Sequence, residues 1–407
     1  INAEELGYND FEDIDIQDKM VMIMTRSPMD EDGTTFKLES EKWQSEQNFE
    51  HKLEYAYLKK AKAVLRVYDP KSGIRSISDL DHRLPEYIGL SHELKDAGRR
   101  NPTNPKGMKI IMIHRNIADS LLKGTGCLLE DLQMKIDREL KPRSFLIENK
   151  KVKFELILKE HEIMVPNIFG YIRGSDPALR NEMVLYTAHF DHMGYDMDGN
   201  IFNGADDNAS GSAALLEIAE AFMKEKKPPK RSVGFLWTSA EEIGILGSEY
   251  YAGNPLYDLD KTVAVINLDM IARSRSEEDP SPSQSGDRTI VGGDTVKVIG
   301  GLQSEVLMRI NEQTLEEMGM QGEYKYNDPY HPGRYMFRSD HVSFMVRNIP
   351  VLFYSTGTHR DYHKTTDDVE YLDFEKFFKM TRFCFKVGYN IAGLEGEITV
   401  DYPYSRW

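Results

Sequence analysis

Residues 183–224 read MVLYTAHFDHMGYDMDGNIFNGADDNASGSAALLEIAEAFMK. The opening MVLYT (183–187) is a short unbroken apolar run, as expected of a strand buried on both faces. Residues 211–224 carry apolar side chains at helical spacing. A strand that leads into a helix begins an α/β unit, and the pattern repeats downstream. Strands are expected at 232–238, 262–268 and 350–354, and helices near 244–252, over 298–318 after a long polar loop, and over 374–392. This alternation predicts a mostly parallel, mixed sheet with helices on both faces. Ligands in such sheets bind beyond the carboxyl ends of the strands.

The residues expected there are of one chemical kind. His189, Asp191 and His192 follow the first strand, and Asp206-Asp207-Asn208 precedes the helix at 211. Glu241-Glu242 follows the strand at 232–238, and Asp269 follows 262–268. Asp361, Tyr362, His363 and Asp367 follow 350–354. Imidazoles and carboxylates converging on one crevice suit Zn²⁺, which takes nitrogen and oxygen ligands in near-tetrahedral sites. Without a cation the carboxylates would repel one another or take up protons. A single Asp-Asp or Glu-Glu is ordinary solvated loop; five such segments at successive element ends are not. Adjacent residues on an extended chain face opposite ways, which would let Glu241 and Glu242 do different jobs.

Upstream, the chain divides near residue 150, giving a smaller α/β accessory domain at 1–150 and the main domain at 151–407. Short β-like runs at 20–25, 63–67 and 109–113 alternate with helical stretches, notably 49–62. Residues 98–107 read as a loop. The 407 residues carry a net charge of −16, which disfavours nucleic acid and anionic membranes as partners. No stretch reaches the roughly 18 apolar residues of a membrane span. Cys127 and Cys384 could pair, but two free buried thiols are the simpler expectation. The chain opens on Ile1 with no signal peptide, so processing or truncation would have removed the segment that carried its address.

The motifs AHFDH (188–192), NGADDNASG (203–211), TSAEEIGILGS (238–248), INLDMI (266–271), SDHVSF (339–344) and YHKTTDD (362–368) resemble the M28 family of zinc peptidases, across roughly residues 160–395. The resemblance implies a secreted, periplasmic or outer-surface exopeptidase with two zinc ions and a peptide substrate. It implies that His189 and Asp269 ligate one zinc, Glu242 and His363 the other, and that Asp207 bridges them. Asp206 is passed over, because the family position is the acidic residue directly before Asn208. Glu241 would be the general base, Asp191 would orient the His189 imidazole, and Tyr362 would stabilise the oxyanion. His192, His331, His341 and His359 are expected to be surface, core or pocket residues and not ligands, with His341 the strongest pocket candidate. Residues 15–28, 60–70 and 111–122 resemble a protease-associated domain. Relatives carry a further N-terminal segment, so this chain looks truncated before residue 1.

An aminopeptidase is the leading expectation. A carboxypeptidase or dipeptidase of the same superfamily would need a basic pocket for the substrate carboxylate, from Arg273, Arg334, Arg338 or Arg347. A non-catalytic binding ectodomain would have no need of Glu241 and five ligands. A glutaminyl cyclase is disfavoured, since related cyclases use one zinc.

Overall fold

In a computed structural model of the chain, the described residues are 1–12, 14–40, 42–44, 48–75, 92–95, 109–155, 159, 161–196, 198–276, 279, 290–331 and 334–404. The loop expected at 98–107 lies outside them. The chain forms two compact units. One holds the described residues up to 161 apart from 92–95; the other holds 92–95 and everything from 162 onward. The sequence reading had placed the division at 150.

The first unit opens with a two-residue hairpin, β1 (Asn2–Ala3) and β2 (Tyr8–Asn9). A parallel three-stranded sheet follows, in the order β3 (Met20–Met24), β4 (Ala63–Val67), β5 (Lys109–Met112). Its helices are α1 (Asn48–Leu58), α2 (Arg115–Leu122) and α3 (Leu129–Glu139). Alternate residues of β4 enter separate apolar clusters. Leu65 and Val67 pack with Ile113, Ala118, Leu122 and Leu129, while Val64 packs with Phe49 and Ala56. One buried cation is part of this unit: Lys52 Nζ donates to the carbonyls of Met24, Thr25 and Arg26.

The second unit contains the strands β6 (Ile168–Ile172), β7 (Met183–His189), β8 (Ser232–Thr238), β9 (Thr262–Leu268), β10 (Thr295–Gly300), β11 (Gln321–Glu323) and β12 (Val351–Ser355). They form one sheet in the order β11-β10-β12-β9-β7-β8-β6. Strands β12, β9, β7 and β8 run parallel, whereas β10 and β6 run antiparallel to their inner neighbours. The sheet is therefore mixed and mostly parallel, as expected.

Its helices are α4 (Gly211–Lys224), α5 (Leu246–Gly253), α6 (Glu305–Met318), α7 (Val342–Met345) and α8 (Phe374–Gly393). Every residue of β7 is buried, and successive side chains enter different cores. Val184, Tyr186 and Ala188 join Leu215 and Ile218 of α4, Leu307 of α6 and Phe383 of α8. Met183 and Leu185 join Tyr251 of α5 and Phe344 of α7 on the other face. Each large apolar side chain so buried contributes about 1.5–3 kcal/mol. Tyr186 reaches the Cys384 carbonyl of α8 at 2.8 Å because Gly388 leaves room; a Cβ there would lie 1.8 Å from the Tyr186 hydroxyl.

One expected element is corrected. Residues 298–318 are not a single helix: residues up to Gly300 belong to strand β10, and α6 starts at Glu305. The Ser304 hydroxyl caps α6 by accepting from Leu307 N, which sets the start. Both cysteines are free; Cys384 is buried, whereas Cys127 is half-exposed rather than buried. Among the described residues no helix is long and apolar enough to cross a membrane.

Candidate metal centre

The site lies past the carboxyl ends of the four parallel strands. His189 ends β7, Asp207 sits in the turn before α4, Glu241 and Glu242 follow β8, Asp269 follows β9, and Tyr362 and His363 follow β12. The structure brings all seven together. His189 Nε2 is 3.4 Å from Asp207 Oδ1 and 3.5 Å from Asp269 Oδ1. His363 Nε2 is 3.3 Å from Asp207 Oδ2 and 3.1 Å from Glu242 Oε2. The two oxygens of Asp207 thus face two separate clusters.

These spacings fit a metal better than they fit hydrogen bonds. Tetrahedral ligands about 2.0–2.1 Å from zinc stand about 3.3–3.4 Å from one another. His189 Nε2 and Asp269 Oδ1 are buried with no hydrogen-bond partner among the described residues. Buried polar atoms without partners are costly unless something meets them.

The electrostatics agree with this. Burial, together with the charges of Asp269, Asp340 and Glu242, pushes the Glu241 carboxyl well above its usual range, against the pull of His189. Burial also raises Asp269. Burial and Asp207 would raise Glu242, but the His192 and His363 imidazoles beside it outweigh them and hold it below its usual value. The metal-free cluster must therefore hold protons where cations could sit.

Each group is fixed from behind. Thr187 donates to Asn267, Asn267 to Ser339 and Ser339 to Asp269 Oδ2, at 2.7, 2.8 and 2.7 Å. Asp367 Oδ2 accepts from the backbone N–H of both Asp206 and Asp207, each at 3.1 Å. The Asn208 side chain ties the same turn to the Leu268 carbonyl at 2.9 Å. Gly211 has no space for a Cβ, which would lie 2.5 Å from that carbonyl.

Asp191 meets the His189 ring through its backbone carbonyl. The imidazole Nδ1 is 3.2 Å from the Asp191 carbonyl and 3.8 Å from its carboxylate. The carboxylate instead accepts the backbone N–H groups of Glu241 and Glu242, at 3.1 and 3.2 Å. These two glutamates lie in a turn, not on the extended chain assumed from sequence. Ala240 enters the turn at φ 58°. Met270, next to Asp269, and His363 itself also have positive φ, 58° and 55°. Such backbone costs of order 1–3 kcal/mol and persists only where its surroundings enforce it.

His192 is drawn into the site more closely than the sequence suggested. Its Nδ1 lies 2.7 Å from Glu242 Oε1. A cluster of His192, Asp207 and Glu242 is also compact enough to hold an ion. The 2.7 Å contact has the length of a hydrogen bond and is too short for two ligands of one zinc, whereas the His363 spacings match. His192 is thus a hydrogen-bond partner of Glu242, and its three-residue offset from His189 in AHFDH was the available signal. His359 is buried behind the site, with Nε2 3.4 Å from Asp206 Oδ2.

His341 is fully buried, stacked on Phe353 at 4.7 Å, with Nε2 donating to the Met336 carbonyl at 3.0 Å. Burial lowers its pKa from 6.5 to about 4. The unfolded chain therefore binds a proton between pH 6.5 and 4 that the folded chain refuses, and stability falls as pH falls through that window. The loss attributable to this ring is about 3 kcal/mol. Urea denaturation of wild type and His341→Asn at pH 7 and pH 4 measures it. The variant should lose less stability by about that amount; equal losses would assign acid sensitivity elsewhere.

Residues 167–387 match the model of peptidase family M28. The chain belongs to peptidase family M28. Similar curated proteins include the probable leucine aminopeptidase 2 of Arthroderma benhamiae, 28% identical over 193 residues that make up 47% of this chain and 33% of that protein. Another is leupeptin-inactivating enzyme 1 of Streptomyces exfoliatus, 33% identical over 125 residues, 29% of this chain and 26% of that protein. Among solved structures, an aminopeptidase from Aneurinibacillus sp. strain AM-1 aligns with a TM-score of 0.49 at 18% identity, covering 98% of this chain and 76% of that one. The match thus spans about a third or less of these two curated relatives. Within this M28 chain, the matched region takes in every candidate ligand and Glu241.

Proposed function

We propose that this M28 chain is a zinc aminopeptidase that removes residues from the amino end of peptides. One observation carries the reading: Asp207 presents one oxygen to His189, which also faces Asp269, and the other to His363, which also faces Glu242, with Glu241 beside them at 4.0 Å from His189. His189, Asp207 and Asp269 would hold one zinc; Asp207, Glu242 and His363 would hold the second. When bound, zinc supplies a Lewis acid that polarises the scissile carbonyl and lowers the pKa of a nearby water.

Glu241 belongs to neither ligand set, which leaves its carboxylate free to take a proton from the attacking water as the new C–O bond forms. It then delivers that proton to the departing amine as the C–N bond breaks. The Tyr362 ring stacks on His363 at 3.8 Å, and burial among the site carboxylates keeps its hydroxyl protonated. That hydroxyl can donate to the carbonyl oxygen as negative charge develops. Asp191 holds the Glu241–Glu242 turn and the His189 ring in place through its carboxylate and its carbonyl. The first unit, by its resemblance, serves as a protease-associated domain. A location outside the cytoplasm rests on the resemblance to secreted bacterial aminopeptidases.

The direction of cleavage follows from charge. A protonated α-amine gains charge-assisted hydrogen bonds beside Glu241 and the ligand carboxylates. Acetylation removes that cation. A matched peptide set, free at both ends, acetylated or C-terminally amidated, tests this with and without a chelator. The free and amidated peptides should be cleaved, the acetylated one at least about a hundredfold more slowly, and the chelator should stop all turnover. The second reading is a carboxypeptidase or dipeptidase, favoured by the presence of Arg338 in the crevice wall. If amidation abolished cleavage and acetylation did not, that second reading would replace the first.

A further inference from the structure

The four arginines considered as carboxylate binders separate in the structure. Arg273 is buried against Asp361 at 2.7 Å and so is already committed. Arg347 donates to the Ser343 carbonyl at 2.6 Å, and Arg334 lies over the Phe337 ring. Only Arg338 lines the crevice that contains Asp207, Glu241, Glu242 and Asp269. Its guanidinium stacks on Tyr335 at 4.8 Å, and it has no anionic partner among the described residues.

A second cation lines the same crevice. Lys297 is buried on β10, paired with Glu323 at 2.8 Å and set over the Tyr326 ring at 4.0 Å. The TVKVIG run of β10 alternates, with Val296 and Val298 facing one core. A pocket for a leucine-like side chain would want an apolar residue at 297 on the other face; this chain places a lysine there.

Sheet order gives the crevice its polarity. Lys297 pairs with Ser355 of β12, and β12 neighbours β9, whose last residue, Leu268, precedes Asp269. The Lys297 backbone therefore stands two strands from that of Asp269, about 10 Å at the usual strand spacing. The crevice is acidic over β9, β7 and β8 and basic towards β10. Glu323 pairs with Lys297, whereas Arg338 faces the crevice with no anionic partner among the described residues.

From this geometry we propose that the crevice selects a substrate carboxylate: Arg338, supported by Lys297, binds the acidic side chain of an N-terminal Asp or Glu residue. The proposal rests on the aminopeptidase reading and deepens it. The α-ammonium lies towards the site carboxylates and the side-chain carboxylate towards Arg338, so the bound residue is a zwitterion matched to the polarity of the crevice. A dipeptide's chain-end carboxylate offers the same chemistry from another source.

The experiment is calorimetric binding to the zinc-loaded full chain, wild type and Arg338→Gln. One ligand pair is the α-amide of L-glutamate against the α-amide of L-glutamine, which differ only in carboxylate against carboxamide. The other is glycylglycine against glycylglycinamide. The glutamate amide should bind wild type at least about tenfold tighter than its neutral twin, and Arg338→Gln should bring the ratio near one. Discrimination confined to the glycyl pair would move the carboxylate to the chain end and overturn the side-chain assignment. Ratios near one for both pairs in wild type, or a ratio unchanged in Arg338→Gln, would overturn the proposal altogether. Turnover of a leucine anilide by the same preparation is scored separately. Its absence with every aminoacyl anilide would count against the aminopeptidase reading, whatever the binding ratios.

Discussion

Replacing Glu241 by Gln is expected to lower kcat by roughly 10²–10⁴-fold, the usual worth of a positioned acid/base, with metal content unchanged. Two observations set that outcome. Glu241 Oε2 stands 4.0 Å from His189 Nε2, beyond the 3.1–3.5 Å at which the ligand atoms face one another. Its carboxyl is also the one whose surroundings push its pKa well above the usual range, as suits a group that must both take and return a proton. The amide keeps the shape but can neither take up nor return a proton at neutral pH. Elemental analysis and steady-state kinetics on one preparation decide the matter. If zinc were lost in proportion to rate, Glu241 would be a ligand and its role would pass to Glu242.

Asp207→Ala should act on both clusters at once. Each of its oxygens faces a different imidazole, so on the proposed reading this one change removes a ligand from both sites. The expected result is a fall from about two zinc ions per chain to fewer than one, with affinity weakened at least a hundredfold. Metal-dependent stabilisation should shrink with it. Saturating zinc at about 100 times Kd stabilises wild type by about 2.7 kcal/mol, seen as a rise in Tm over the chelator-treated protein. The variant should show little of that rise. Two ions bound with undiminished affinity would mean that the clusters are held independently and that Asp207 does not bridge them.

The clustering of His189, Asp207, Glu242, Asp269 and His363 was legible because each sits in a short contiguous motif just past a strand or, for Asp207, just before a helix. MVLYT, SVGFLWT and TVAVINL are apolar runs that cannot be surface loops, and in a parallel sheet they open onto the same edge. What lay behind the ligands was not legible. The Ser339–Asp269 bond joins residues 70 apart in sequence, and the Asp367–Asp207 bond joins residues 160 apart. No local pattern encodes such pairings. Strand β10 was hidden for a related reason: a buried lysine interrupts TVKVIG, and the helix signal of the following residues ran back over it. The Glu241–Glu242 turn was misjudged because its shape comes from Asp191, fifty residues upstream, and not from its own composition.

Asp191 has a consequence for how the site can change over generations. One residue meets the His189 imidazole with its carbonyl, and with its carboxylate holds the turn that carries Glu241 and Glu242. Substitutions around these two halves therefore share a pivot, and their effects would not simply multiply. A substitution on one side of that pivot is therefore expected to change what a substitution on the other side does.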